Sequence, residues 1–247
     1  YKKIIKSQYV FPNPGDAGLS LGACLYAHYN DSKIQHKPLK SLYFGSEFSN
    51  DKIHQILTDR GIDFEFFDNI EEVTASYLYK NLVIGWFQGR MESGPRALGN
   101  RSILMSPLEA SNKDLINSKV KYREAFRPFC PSIKEERYHE YIKDGREERF
   151  MVSSFLVNNG IAQRIPAVVH SDGSARPQMV TKFENARYHK LISEFEKLSG
   201  ESVLLNTSFN VKGEPIVCNP REAIKCFYDT GIDILVLGNY LIKKTGL

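Results

Sequence analysis

Cysteine is scarce and unpatterned in this sequence. Four residues among 247 (Cys24, Cys130, Cys218, Cys226) form no CxxC pair and no zinc-like spacing. That excludes a disulfide scaffold and a zinc module, and it predicts reduced, mostly structural thiols in a cytoplasmic protein. No apolar stretch approaches the roughly 20 residues that span a bilayer, and no signal peptide is visible, so no membrane partner is expected. The first residue is Tyr1 rather than Met, as expected of a fragment or a processed product. An excess of charge of one sign is also missing: 33 basic against 29 acidic residues leave +4, too little to argue for nucleic acid by itself. There is no Walker spacing, no GxGxxG and no Ser-His-Asp signature, and the six histidines are scattered. Paired carboxylates for general acid–base work are absent too. What these absences leave is catalysis by positioning and neutralisation of phosphoryl charge, as phosphoryl or adenylyl transfer requires.

What is present is an ordinary globular composition, 42% hydrophobic and 25% charged, in a chain long enough for one or two domains. An apolar opening is followed by PNPGDAGLSLGACLYAHYN at 12 to 30, where Asp16 precedes helical spacing of Leu19, Ala23, Tyr26 and Ala27 and is placed to cap a helix. A polar stretch with Pro38 is the linker candidate. Helices are predicted over 51 to 60, IEEVTASYLYK, DLINSKVKY, NARYHKLISEFEKLSG with Gly200 as its stop, and NPREAIKCFYDTG with Asn219, Pro220 and Glu222 as a capping set. Strands are predicted at IDFEFF, NLVIGWF, RFMVSSFLVNN, SVLLNTSFN and IDILVLGNYLIKK. The alternation argues for an α/β domain.

Four polar clusters sit at strand ends or turns: GRMESGPRALGNRS (89 to 102), KYREAFRPFCPS (121 to 132), HSDGSARPQ and LLNTSFNVKGEP (204 to 215). Such tips are where α/β folds place ligands. They offer Arg96, Lys121, Arg123, Arg127 and Arg176 as cations, and arginine's planar fork fits phosphate oxygens. Asn206, Ser208 and Asn210 alternate along one extended segment, so their side chains face one way. Each has a plainer reading. Arg96 and Arg101 would be struts to a carboxylate inside the loop, Arg90 and Glu92 would pair with each other or with neighbours, and Arg123 would neutralise Glu124. Lys121 and Arg127 would snorkel over Phe126 and Phe129. Asn206 and Asn210 would bond their own backbone, and His170 beside Asp172 would be a turn residue.

In this order, the four clusters resemble the C-terminal region of carbamoyltransferases of the nodulation-protein and antibiotic-tailoring type, and PGDAGLSLGA resembles the end of that family's N-terminal domain. The resemblance runs from about residue 9 to the C-terminus. It implies a YrdC-like domain over 41–247, a twisted mixed α/β sheet, preceded at 1–40 by the tail of an actin-like ATPase-type transferase domain whose front part is missing. It implies that carbamoyl phosphate and ATP, with Mg2+, give carbamoyladenylate, from which a hydroxyl-bearing small molecule or glycan takes the carbamoyl group. Mapped on the motifs, Lys121, Arg127, Arg176 and Ser208 take catalytic roles, and Arg96, Arg101, Asn206, Asn210 and Arg123 bind substrate and ATP. Asp16 matches the family's metal-ligand aspartate, but the histidines that complete an iron site in the full-length enzyme have no counterpart here. Ser93, Cys130 and Lys212 depart from the expected residues. A threonylcarbamoyladenylate synthase is the enzymatic rival, disfavoured by GPRALGNRS; a nucleic-acid-binding module is the rival of another class, disfavoured by the small charge.

Overall fold

A computed structural model describes residues 10–33, 39–143 and 145–244. The opening apolar stretch at 1 to 9 and Pro38 lie outside the described residues. The helices are α1 (Leu19–Ser32), α2 (Asn50–Asp59), α3 (Ile70–Tyr79), α4 (Ser111–Lys119), α5 (Tyr138–Tyr141), α6 (Ile161–Arg164), α7 (Ala186–Ser199) and α8 (Pro220–Asp229). The strands are β1 (Glu65–Phe66), β2 (Ile84–Phe87), β3 (Arg101–Met105), β4 (Cys130–Lys134), β5 (Phe155–Leu156), β6 (Ser174–Ala175), β7 (Gln178–Val180), β8 (Val203–Ser208), β9 (Ile234–Leu237) and β10 (Tyr240–Lys243). Eight strands form one mixed sheet in the order β1-β10-β9-β2-β3-β8-β4-β7, and β5 pairs with β6 apart from it. Only β2–β9 and β4–β7 run parallel; the other neighbours are antiparallel.

The strands' alternation divides their side chains between two cores. Ile84 and Trp86 of β2, Leu104, Leu204, Ile234 and Val236 face α3 and α7, whose Ile70, Leu78, Leu191, Ile192 and Phe195 close that side. Phe87, Ile103, Met105, Leu205, Leu235 and Leu237 face the other way, onto Ile53 and Leu57 of α2 and Ala223, Ile224 and Phe227 of α8. A period of two along each strand produces this split. The result is three layers, helices on both faces of a mixed α/β sheet.

The helices with strong apolar spacing form where predicted. Asn185 caps α7 by accepting from Tyr188 N, and Gly200 closes it in the left-handed region at φ 76. Asn219 caps α8 through Arg221 N and Glu222 N. Glu222 reaches back to Cys218 N, one residue beyond the usual capping-box donor. Elsewhere the sequence expectations are corrected. Asp16 opens a short 3-10 turn, while Gly18 precedes α1 and no side chain caps it. The strand over RFMVSSFLVNN shrinks to Phe155–Leu156. Met151 adopts φ 55, and the buried Glu148 carboxylate accepts Phe150 N at 3.1 Å and Ser153 N at 3.0 Å, holding a turn instead. The last strand is a hairpin, β9 and β10, bent at Gly238 with φ 58. Two strands, the central β3 and the next-to-edge β4, begin inside segments read from sequence as ligand loops.

Candidate anion-binding site

Residues 88 to 100 connect two antiparallel neighbours, β2 and β3. The connection is built around one carboxylate oxygen. Oε1 of buried Glu92 accepts the backbone N–H groups of Leu98 (2.7 Å), Asn100 (2.8 Å) and Arg101 (3.2 Å). From outside, Ala97 O accepts Asn206 Nδ2 at 3.1 Å, and Leu98 O accepts both Tyr43 OH and Gln178 Nε2 at 2.8 Å. Trp86 Nε1 donates to Gly99 O at 2.9 Å. Gly99 sits at φ +103, and a Cβ there would lie 2.2 Å from the Tyr188 ring, so no other residue fits. Asn13 Nδ2 donates to Ser93 Oγ at 3.2 Å, docking the PNPGDAG segment on this loop.

A cavity of about 100 Å³ opens against the loop and the tips of β4 and β8; it is lined by Arg96, Arg123, Arg176, Asn206, Ser208 and Cys130, with Phe129 and Met151 among its apolar walls. No carboxylate lines it. The sheet brings these residues together: Cys130 lies opposite Asn206, and Ser208 opposite Ser102. Burial, and then the charge of Arg176, lowers the Arg96 pKa. Burial, and then Arg127, lowers that of Arg123, whose Nε donates to Asn117 Oδ1 at 2.7 Å while its guanidinium stacks over Phe129 at 4.7 Å. Arg176 donates Nε and Nη2 to Cys130 Sγ at 3.3 and 3.1 Å. Guanidiniums that crowd one another around a sulfur, a weak acceptor, offer an anion good partners.

Lys121 is 5% exposed. Its Nζ donates to Ser208 O, to Asn210 O at 2.9 Å and to Asn210 Oδ1 at 2.7 Å, and it lies 3.3 Å from Ser208 Oγ. Burial, with Arg123 adding repulsion, pushes its pKa down from 10.5 to about 7. Ser208 Oγ in turn donates to Asn210 Oδ1 at 2.7 Å. Ser208 thus joins the lysine below to the cavity it lines, and Asn210 serves the lysine rather than the cavity wall.

Other expected residues stand elsewhere. Arg101 is a correction: it is fully buried, stacks over Phe87 at 3.6 Å, and donates to the backbone carbonyls of Gln88, Asn100, Ser46 and Gly89. Its guanidinium stitches the loop, with carbonyls in place of the expected carboxylate. Arg90 stands 4.0 Å from Glu47, leaving Glu92 to the backbone. Arg127 is not part of the wall; half exposed, it lies 3.9 Å from Glu124. His170 Nδ1 contacts Ser174 Oγ at 3.0 Å, burial lowers its pKa, and Asp172 Oδ1 accepts Ser174 N at 2.9 Å, which makes them turn residues. Asp16 is exposed. Among the described residues, the one grouping of histidine and carboxylate atoms close enough to share an ion is Glu135, Glu136 and His189, remote from Asp16 in sequence. The residues present therefore do not fit the implied iron. Sequence reasoning missed Gln178, which bonds Leu98 O and accepts Ser132 Oγ at 2.8 Å. Its signal was its place at the end of the HSDGSARPQ cluster, two residues beyond Arg176, where β7 begins.

Residues 75–244 match the family model described as the carbamoyltransferase C-terminus. The nodulation protein NolNO of Sinorhizobium fredii is 42% identical over 98% of this chain and 36% of its own length. The 3'-hydroxymethylcephem-O-carbamoyltransferase of Amycolatopsis lactamdurans is 33% identical over 94% of this chain and 43% of its own. The chain spans less than half the length of either relative. A solved structure of full-length HypF, in a phosphate- and nucleotide-bound form, aligns with 71% of this chain and 22% of its own at 16% identity and a TM-score of 0.46, too slight a likeness to argue from. By its match over most of its length, the chain belongs to the carbamoyltransferase C-terminal family.

Proposed function

We propose that this chain is the adenylate-forming part of an O-carbamoyltransferase, YrdC-like over 41–247 and led by the tail of a transferase domain over 1–40. One observation carries the reading: three arginines line a single carboxylate-free cavity with Asn206 and Ser208, and Lys121 lies beneath Ser208. Carbamoyl phosphate and ATP together bring about six negative charges, which such a cavity neutralises. In the proposed sequence, water cleaves carbamoyl phosphate to carbamate and phosphate. A carbamate oxygen then attacks the α-phosphorus of ATP and pyrophosphate leaves. A hydroxyl acceptor finally attacks the carbamoyl carbon, with AMP as the leaving group. Arg96, Arg123 and Arg176 hold phosphoryl oxygens as charge shifts among them, and Arg127, beside Arg123, meets the nucleotide outside the cavity. Lys121, with a pKa near neutrality, holds Ser208 in place and exchanges a proton with the phosphoryl region. The wall gives Mg2+ no carboxylate ligand, so the ion enters on the phosphates of ATP. The names of the relatives support a carbamoyl donor and a hydroxyl acceptor over a threonylcarbamoyladenylate synthase. Calorimetry with carbamoyl phosphate and with ATP at about millimolar concentration tests the reading: saturable binding of both is expected, and binding of neither would sink it.

A further inference from the structure

A second cavity, of about 520 Å³ against about 100 Å³, shares no lining residue with the anion site. It takes the ends of the 88–100 connection, Gln88, Gly89, Arg90 and Asn100, where the anion site takes Pro95, Arg96 and Ala97. Its size is that of small-molecule sites. Part of the lining is apolar: the rings of Phe48 and Phe87 lie 6.0 Å apart by centroid, with Ile53 beside them. Part is polar and fixed from within. Asn185 Nδ2 donates to Asn100 Oδ1 at 2.9 Å, Asn100 Nδ2 to Arg90 O at 2.8 Å, and Gln88 Nε2 to Gly238 O at 3.0 Å. These three side chains are buried, so the wall is formed before any ligand arrives. Unlike the anion site, this cavity has carboxylates, Glu47 and Glu184, as well as guanidiniums, Arg90 and Arg187. Two of the four are already spent. Glu184 holds Arg149 and Thr181, and Arg187 holds Glu71, Gln88 and Asn239. Arg90 and Glu47 are not: their side chains are each 56% exposed and stand 4.0 Å apart, and Arg90 adds one long bond to Phe44 O at 3.4 Å. The unspent capacity here is one charge of each sign beside aromatic rings.

We infer that this cavity binds a zwitterion with an apolar body, of the class of the free apolar α-amino acids. The ligand's carboxylate lies on the Arg90 guanidinium, its ammonium on the Glu47 carboxylate, and its side chain against the Phe48 and Phe87 rings. Four charges of alternating sign then neighbour one another, and each gains a partner of opposite sign. Other ligand classes match less of the wall. A phosphate would meet the carboxylates of Glu47 and Glu184 as well as Arg90. A neutral sugar or polyol would cover the Arg90–Glu47 pair and strip water from both charges without giving either a counter-charge. An amine alone, or a carboxylate alone, would leave one of the two charges covered and unmatched. This site stands apart from the anion site and does not depend on the reading given to it.

The test is calorimetry of the wild-type chain with L-leucine and L-phenylalanine, and with L-leucinamide, N-acetyl-L-leucine and glucose for comparison. Saturable binding of leucine or phenylalanine is expected at about millimolar concentration. Leucinamide keeps the ammonium and N-acetylleucine the carboxylate, and each should bind at least about tenfold more weakly than leucine, the scale of one charge-assisted bond. Arg90→Gln and Glu47→Gln should each weaken leucine by a similar factor, with a thermal melt to confirm that the variants are folded. Binding of neither amino acid would overturn the inference. So would equal affinities for leucine, its amide and its N-acetyl form, glucose binding more tightly than leucine, or leucine binding unchanged in both folded variants. If the variants do not fold, the wild-type comparison alone decides.

Discussion

The ammonium of Lys121 and the side-chain oxygen of Asn210 stand 2.7 Å apart, beneath the serine that lines the cavity. Asn210 meets the lysine with its backbone carbonyl as well, so one residue takes two of the three ammonium protons. The arrangement keeps a buried cation fixed just behind an anion site, at a cost in solvation that lowers its pKa.

The Lys121 pair gives a pH signature of two opposite slopes. The folded-state pKa is depressed to about 7 from an ordinary 10.5. Between those values the unfolded chain binds the extra proton, so stability rises with pH across that window and is flat in this respect below it. Anion affinity falls over the same range as the ammonium discharges. Urea unfolding and calorimetry from about pH 6 to about pH 9 should show both slopes, each reduced in Lys121→Met. Parallel profiles for wild type and variant would remove the lysine from the account.

Arg176 and Arg127 should separate when each is replaced by alanine. Arg176 lines the cavity, and losing its charge-assisted bonds should weaken carbamoyl phosphate binding by about 1.5–3 kcal/mol. Arg127 is half exposed, its side chain having among the described residues a long contact to Glu124, and should cost less than about 1 kcal/mol. Calorimetry in which Arg127→Ala proves the more damaging would place it inside the site.

Glu92→Ala should act on folding and on binding together. It frees three backbone N–H groups in a buried loop, and a loss of about 2–4 kcal/mol in urea unfolding is expected. Anion affinity should fall as well, because Arg96 rides on that loop. An unchanged unfolding midpoint would refute the role assigned to the carboxylate.

Gly99→Ala combines a φ of +103 with a Cβ driven into the Tyr188 ring. Backbone strain and overpacking together should cost about 3 kcal/mol or more. A variant melting within a few degrees of wild type would contradict the geometry of the loop.

The sequence was legible where one physical signal dominated. The helices α2, α3, α7 and α8 carry apolar residues at helical spacing, and Asn185 and Asn219 cap the last two as their positions suggest. Strands β3 and β4 were illegible because their residues do two jobs: Arg101 and Cys130 begin strands while standing in motif-rich segments, so their polarity reads as loop. Within the site, Arg96, Arg123, Arg176, Asn206 and Ser208 were nameable because ligand-facing residue types recur at strand tips. Arg101 misled because burial depends on which way the loop turns, and Glu92 Oε1 decides that through three backbone bonds with no side-chain pattern. The pairing of Cys130 with Arg176 was equally unreadable: it joins the start of β4 to the link between β6 and β7, 46 residues apart.

Glu92 works on main-chain N–H groups, which every residue but proline carries. The course of the 92–101 segment is therefore set by main-chain bonds, to Glu92 within and to Asn206, Tyr43, Gln178 and Trp86 outside, and owes little to the side chains it displays outward. Ser93 at one such position finds a partner in Asn13 without disturbing the bonds to Glu92. Form and content are separable in this loop: its outward positions can be rewritten to suit another ligand while the scaffold that aims them stays the same.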